Sequence, residues 1–146
     1  MKDKRKWIAI AAVLVVAAVA LWAVLFAQRT DPDTVRLLLD GKEMTETTVN
    51  PGAGAGLRVI VKLSDSNTVV ADLPFGEPHT LQVIQEGGYN TIRVTENAVY
   101  MEKADCRGQQ CVNTAEITRD NLETRVLRDL IICSPHKLIV QVAEQN

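Results

Sequence analysis

The run WIAIAAVLVVAAVALWAVLFA, from Trp7 to Ala27, carries no charge, no glycine and no proline over 21 residues. No other stretch limits the chain so strongly. At about 1.5 Å per residue a helix of that length spans about 30 Å, the hydrocarbon thickness of a bilayer. A surface helix needs a polar face, and this run has none. Before it stands MKDKRK, with Lys2, Lys4, Arg5 and Lys6 against the single acid Asp3. An excess of Lys and Arg stays on the cytoplasmic side, so everything after Ala27 is expected across the membrane. Trp7 and Trp22 stand near the two ends of the run, where indole rings favour the headgroup region. The alternative is a cleaved signal peptide, for which Ala18-Val19-Ala20 supplies the small-residue spacing. Cleavage there would leave an apolar new N-terminus, LWAVLFA, and the apolar part of a signal peptide is usually shorter, roughly 7–15 residues. The uncleaved anchor is therefore the expectation. It divides the chain into a cytoplasmic tail (1–6), a transmembrane anchor (7–27), a linker (28–33) and an extracytoplasmic domain (34–146).

From Thr30 onward the chain holds 11 basic and 17 acidic residues, a net of about −6. Attraction to phosphates supplies most non-specific nucleic-acid binding, so an acidic domain beyond a membrane is a poor candidate for it. No nucleic-acid partner is expected.

The periodicity beyond the linker is that of strands. Val35 to Leu39 is apolar and is followed by the turn residues Asp40-Gly41. Asn50 to Gly56, NPGAGAG, reads as a loop. It lacks the Lys-Ser/Thr and the following helix that a phosphate loop requires. Leu57 to Leu63 alternates, with Leu57, Val59, Val61 and Leu63 on one side. Thr68 to Leu73 and Thr80 to Ile84 read as strands, and Ile92-Val94 and Val99-Met101 flank a Glu96-Asn97 turn as a hairpin. Cys111 to Ile117 and Lys137 to Val142 complete the pattern. Short strands punctuated by turns predict an all-β domain, a small β-barrel or sandwich, behind one N-terminal transmembrane helix. One segment departs from this. Thr118 to Leu130 places Leu122, Val126, Leu127 and Leu130 at helical spacing, which predicts a short helix.

Three motifs then stand together: Gly88-Tyr89-Asn90-Thr91-Ile92, Ala104-Asp105-Cys106 to Cys111-Val112-Asn113-Thr114, and Cys133-Ser134-Pro135-His136-Lys137-Leu138. In these residues the C-terminal half resembles the NusG domain II family of small, membrane-anchored extracytoplasmic proteins. The connection Thr118 to Leu130 is longer than the family pattern. The resemblance implies a compact β-barrel or sandwich, and a role as an accessory to a membrane redox or flavin-linked assembly. It does not imply transcription, because export separates the domain from RNA polymerase. The chain has no threonine-centred motif of the kind that accepts a covalent flavin.

The chemistry rests on three cysteines, Cys106, Cys111 and Cys133. Outside the cytoplasm a thiol becomes a disulfide or a ligand. Cys106 and Cys111 can reach disulfide distance if Arg107-Gly108-Gln109-Gln110 turns, and a bridge from either to Cys133 would close a longer loop. An odd count leaves one thiol over. The same residues with His136 also read as a metal set, C-x4-C followed by C-x2-H, suited to tetrahedral zinc. Two readings remain: a thiol redox pair, although the spacing is not C-x-x-C, and simply three reduced, buried cysteines. His79 reads as a surface loop residue, and the sequence names no partner for it. Ser134 lies too close in sequence to His136 to form a nucleophile–base pair, and the acids Asp31, Asp33, Asp72 and Asp105 read as solvated turn residues. No catalytic set emerges. The expectation is a non-enzymatic, membrane-anchored accessory domain with a membrane or extracytoplasmic protein partner and no cofactor. The alternative is a metal- or thiol-dependent redox or electron-transfer protein using Cys106, Cys111 and Cys133, and the cofactor alternative is zinc or an iron–sulfur centre.

Overall fold

The computed structural model describes residues 15–21, 35–44 and 56–145. Residues 15–21 are helical, and all seven side chains are exposed. Among the described residues no helix is long and apolar enough to cross a membrane. The rest of the anchor expected over residues 7–27 lies outside the described residues, as do the charged tail, the linker and residues 45–55 of the glycine-rich region. The chain divides into two units, Met1–Thr34 and Val35–Asn146.

The second unit is built from two antiparallel sheets and is not a closed barrel, which corrects the barrel half of the expectation. Its strands are β1 (Arg36–Leu39), β2 (Lys42–Met44), β3 (Gly56–Leu63), β4 (Val69–Pro74), β5 (His79–Gln85), β6 (Gly88–Val94), β7 (Ala98–Ala104), β8 (Ile117–Thr118), β9 (Leu130–Cys133) and β10 (Leu138–Gln145). Six strands run in the order β2-β1-β5-β6-β7-β8, and four in the order β4-β3-β10-β9. Asp40 (φ 50°) and Gly41 (φ 80°) form the two-residue connection between β1 and β2. Positive φ at both positions matches the right-handed strand twist, which is why Asp-Gly serves there.

Alternation along each strand sorts side chains into an inner and an outer face. In the larger sheet two inner rows cross the strands: Leu39, Leu81, Ile92 and Met101, and Leu37, Val83, Asn90 and Ala104. In the smaller sheet Val59 and Val61 of β3, Ala71 and Leu73 of β4, Ile131 of β9 and Val140 of β10 are fully buried. One hydrophobic cluster draws on both sheets.

A register shift opposite Thr91/Ile92 sets which way the side chains at the end of β7 face. Met101 and Ala104 are an odd number of residues apart and would face opposite sides of a regular strand. The bulge resets the parity, so both turn inward, at 2% and 8% exposure. Cys106, two residues beyond Ala104, is then buried as well.

Two expected elements are absent from the described residues. Cys111 to Ile117 is not one strand: Gln110–Asn113 is a single helical turn, α1, and only Ile117–Thr118 pairs, with β7. The helix predicted over 118–130 does not form. Asn121, Arg128 and Leu130 each close a turn onto the carbonyl three residues earlier. Side chains take over the remaining groups. Asn121 Oδ1 accepts the Thr118 amide, Asn121 Nδ2 donates to Glu116 O, and the Arg125 guanidinium donates to Ala115 O, Arg128 O and Leu130 O. Asn side chains compete in this way with a helical ladder. Val126 is fully exposed, so its helical spacing reflects no buried face.

Asp72, read as a solvated turn acid, lies on β4 and holds Arg58. Arg58 Nε donates to its carboxylate (2.8 Å) and Nη2 to its main-chain oxygen (3.0 Å), with the arginine side chain only 4% exposed. The two sit diagonally across β3 and β4, where same-face neighbours meet. Asp72→Ala is expected to lower unfolding free energy by about 1–3 kcal/mol, the cost of leaving a buried donor poorly matched. Urea denaturation checks it, and a change under about 0.5 kcal/mol, the range of unremarkable surface substitutions, would show the pair to be dispensable.

Candidate functional site

Cys106, Cys111 and Cys133 come from three places in the chain and meet at one edge of the core. Cys106 lies just beyond β7 and faces inward because of the bulge. Cys111 stands on α1. Cys133 ends β9, opposite Leu138 on the inner row of the smaller sheet. The Cys106–Cys111 turn is shaped by Gln109, whose backbone is left-handed (φ 50°). Its side-chain Nε2 donates to Ala104 O and Cys106 O, each at 2.6 Å, and so ties the turn to the end of β7.

The three sulfurs all lie within 4.8 Å of one another. Cys106 Sγ and Cys111 Sγ are 3.6 Å apart, well beyond the roughly 2.05 Å of a covalent bridge, and all three cysteines are free. The expected disulfide is therefore not formed. Each sulfur rests against the others with little water around it, at exposures of 6%, 2% and 1% for Cys106, Cys111 and Cys133. Burial pushes the Cys111 thiol up to about 12, and its contacts with Cys133 and Cys106 push the same way. A protonated thiol is a weak nucleophile, so Cys111 is poorly suited to begin thiol–disulfide exchange. An iron–sulfur cluster is usually held by four cysteines, and this chain has three, which favours a single ion over a cluster.

His136 lies beside the cluster, with Nδ1 3.5 Å from Cys133 Sγ. Its ring nitrogens are engaged elsewhere. Nδ1 is 2.8 Å from Asn90 Oδ1, and Nε2 is 3.2 Å from Asp105 Oδ1. The structure thus brings the three thiols to one point and sets His136 next to one of them, facing its own oxygen partners. Asn90 is completely buried, and its Nδ2 contacts Met101 Sδ at 3.4 Å. Asp105, read as a solvated acid, also accepts the Tyr89 amide at 2.8 Å, and the His136 carbonyl accepts Gln85 Nε2 at 2.8 Å.

Gly88 makes this network possible. At φ +135° a Cβ would stand 2.3 Å from Asp105 Oδ1 and 2.7 Å from His136 Nε2. Neither the role of Gly88 nor the partners of His136 can be read from the sequence. The signal available is the Gly-Tyr-Asn run itself, which marks a strand start without saying what approaches it.

The other candidates fall elsewhere. Ser134 is exposed, and its carbonyl accepts the Lys137 amide in the β9–β10 turn, while both His136 nitrogens face other residues. His79 opens β5 rather than lying in a loop, and its Nδ1 is 2.9 Å from Asp40 Oδ2, a partner the sequence does not name. Tyr89 is half-buried and lines a shallow cleft of about 390 Å³ with Leu38, Gln82, Thr91 and Lys103 on the outer face of the larger sheet.

A model of the NusG domain II family matches residues 9–146. The chain belongs to the NusG domain II family. No curated protein is a significant match. Among solved structures, this NusG domain II chain is similar to a DUF1312 family protein of Enterococcus faecalis V583, at 20% identity and a TM-score of 0.51, covering 62% of this chain and 99% of that one. It is similar in the same degree to the Lin0431 protein of Listeria innocua, at 17% identity and a TM-score of 0.51, covering 62% and 99%. At these identities the likeness establishes the fold of the β domain alone.

Proposed function

We propose that this NusG domain II protein is a membrane-tethered accessory domain, without turnover of its own, that works on the outer side of a membrane through its three-thiol centre. The observation that carries this reading is the convergence of three buried sulfurs within 4.8 Å, two from the Cys106–Cys111 turn and one from the end of β9. Packing alone does not require three thiols at one point, since apolar side chains of similar size fill a core as well. The tether is supported by the charge-flanked apolar run and by the exposure of Val15, Val16, Val19 and Leu21, each about 60% or more accessible. Its partner is a membrane or extracytoplasmic protein, and a redox assembly is the setting in which reduced thiols outside the cytoplasm have a use.

Two measurements on the full chain test this. A C-terminal tag should be cleaved by protease added to intact cells stripped of their wall; protection until lysis would sink the topology. Denaturing alkylation without reductant, followed by intact-mass analysis, should find three modified thiols in chain isolated from its native membrane. A single modified thiol would mean a standing disulfide and would end the reading of a reduced centre.

A further inference from the structure

We propose that Cys106, Cys111 and Cys133 form a three-thiolate site for one zinc-class divalent cation, with its fourth position open to a small external ligand. This rests on the reading of the thiol centre as the working part. At a Zn–S distance of about 2.3 Å, tetrahedral geometry sets neighbouring sulfurs about 3.8 Å apart. The Cys106–Cys111 separation of 3.6 Å already matches, and the full set lies within 4.8 Å, so an entering ion need draw the outermost sulfur in by about 1 Å. Thiolates select soft and borderline cations over magnesium or calcium. Each ligating thiol passes its proton to solvent as the metal–sulfur bond forms, and no electrons are transferred.

The character of the fourth position is set by the neighbours of the sulfurs. His136 is close, but Asn90 and Asp105 face its two ring nitrogens. It stands against Cys133 as an outer partner, the arrangement that commonly orients a ligating group. A cavity of about 50 Å³ opens instead between the Cys106–Cys111 turn and the β9–β10 turn, bordered by Gly108, Gln110, Ser134 and Pro135 as well as the thiols. That space suits a water or one small donor, since a water takes about 30 Å³ of liquid volume. A site closed by four protein ligands is structural, whereas one open position allows exchange with a ligand from a partner or from solution.

The experiment uses the full chain in detergent, reduced and stripped of metal, titrated anaerobically with Co2+ and then Zn2+. The expected result is one Co2+ per chain, a sulfur-to-cobalt charge-transfer band, and the strong visible bands of four-coordinate cobalt, all displaced by Zn2+. Added imidazole should shift the visible bands; bands that do not respond would overturn the open position. Cys133→Ser should weaken Co2+ binding by more than the 10–100-fold typical of losing an outer partner. Unchanged affinity in that variant, with circular dichroism intact, would overturn the three-thiolate set. Cys111→Ser gives a second variant with the same expectation should Cys133→Ser not fold. Denaturing thiol counting on a portion set aside before reduction separates the two readings. Three reactive thiols without a cobalt spectrum would reject the metal site and leave the reduced thiol centre standing, while a single reactive thiol would reject both.

Discussion

Gly88→Ala is expected to destabilise the domain by roughly 2–4 kcal/mol, combining a strained backbone with overpacking. The new methyl would meet Asp105 Oδ1 at 2.3 Å and His136 Nε2 at 2.7 Å, at a φ of +135° that L-residues rarely adopt. Both neighbours are constrained. Asp105 is held by the Tyr89 amide, and His136 is only 6% exposed, between Asn90 and Cys133. Relief therefore means moving the β9–β10 turn away from β6, and Cys133 with it. The variant should show a lower urea midpoint and faster native-state alkylation of its cysteines. A stability within about 0.5 kcal/mol of the parent would mean that the close approach is absent from the native protein, because ordinary surface changes fall in that range.

Ile92→Ala is expected to cost about 2–5 kcal/mol, a large part of the roughly 5–15 kcal/mol that stabilises a typical domain. Ile92 is completely buried on β6 and pairs with Leu81 on one side and Met101 on the other. Removing three carbons there opens a cavity that two paired strands cannot easily close. Val126→Ala is the matched control. It removes a similar apolar group from a fully exposed position and should change stability by less than about 0.5 kcal/mol. Denaturant titration of both variants compares them directly. Equal losses would mean that residues 118–130 pack as a helix face after all.

That pair of variants also marks where a one-dimensional pattern misleads. Leu122, Val126, Leu127 and Leu130 recur at helical spacing, yet only Leu122 packs against the core among the first three, and Leu130 begins β9. Spacing records which residues are apolar. It does not record that Asn121 and Arg125 will bind main-chain groups at and beyond the two ends of the segment, Thr118 N, Glu116 O, Ala115 O, Arg128 O and Leu130 O, and hold it as a series of turns. Strands are more legible. Ile92-Val94 and Val99-Met101 flank Arg93 and Tyr100, and half-buried strands result from that alternation directly, while Val59-Val61 keeps its inner row with Ile60 between. Asp40-Gly41 marks its hairpin because few residues accept two consecutive positive φ values.

The site is legible in part. The three thiols stand out because cysteine is scarce and chemically distinct, and their motifs name the family that residues 9–146 match. Their meeting point is not legible. It depends on one extra residue in β7, which turns Ala104 and Cys106 inward, and on pairing between β9 and β10, which puts Cys133 on the inner row. His136 illustrates the same limit. Its place two residues beyond Ser134 says nothing of Asn90, 46 positions away in the chain, whose amide oxygen its ring nitrogen meets.

Local chemistry determined the β class, several turns and the identity of the reactive residues, because strand period and turn preference act over only a few neighbours. Tertiary structure alone decided the barrel-versus-sheets question, the inward parity after the bulge and the gathering of the sulfurs. Those outcomes rest on contacts between distant segments, where a shift of one residue in pairing sends every later side chain to the opposite face.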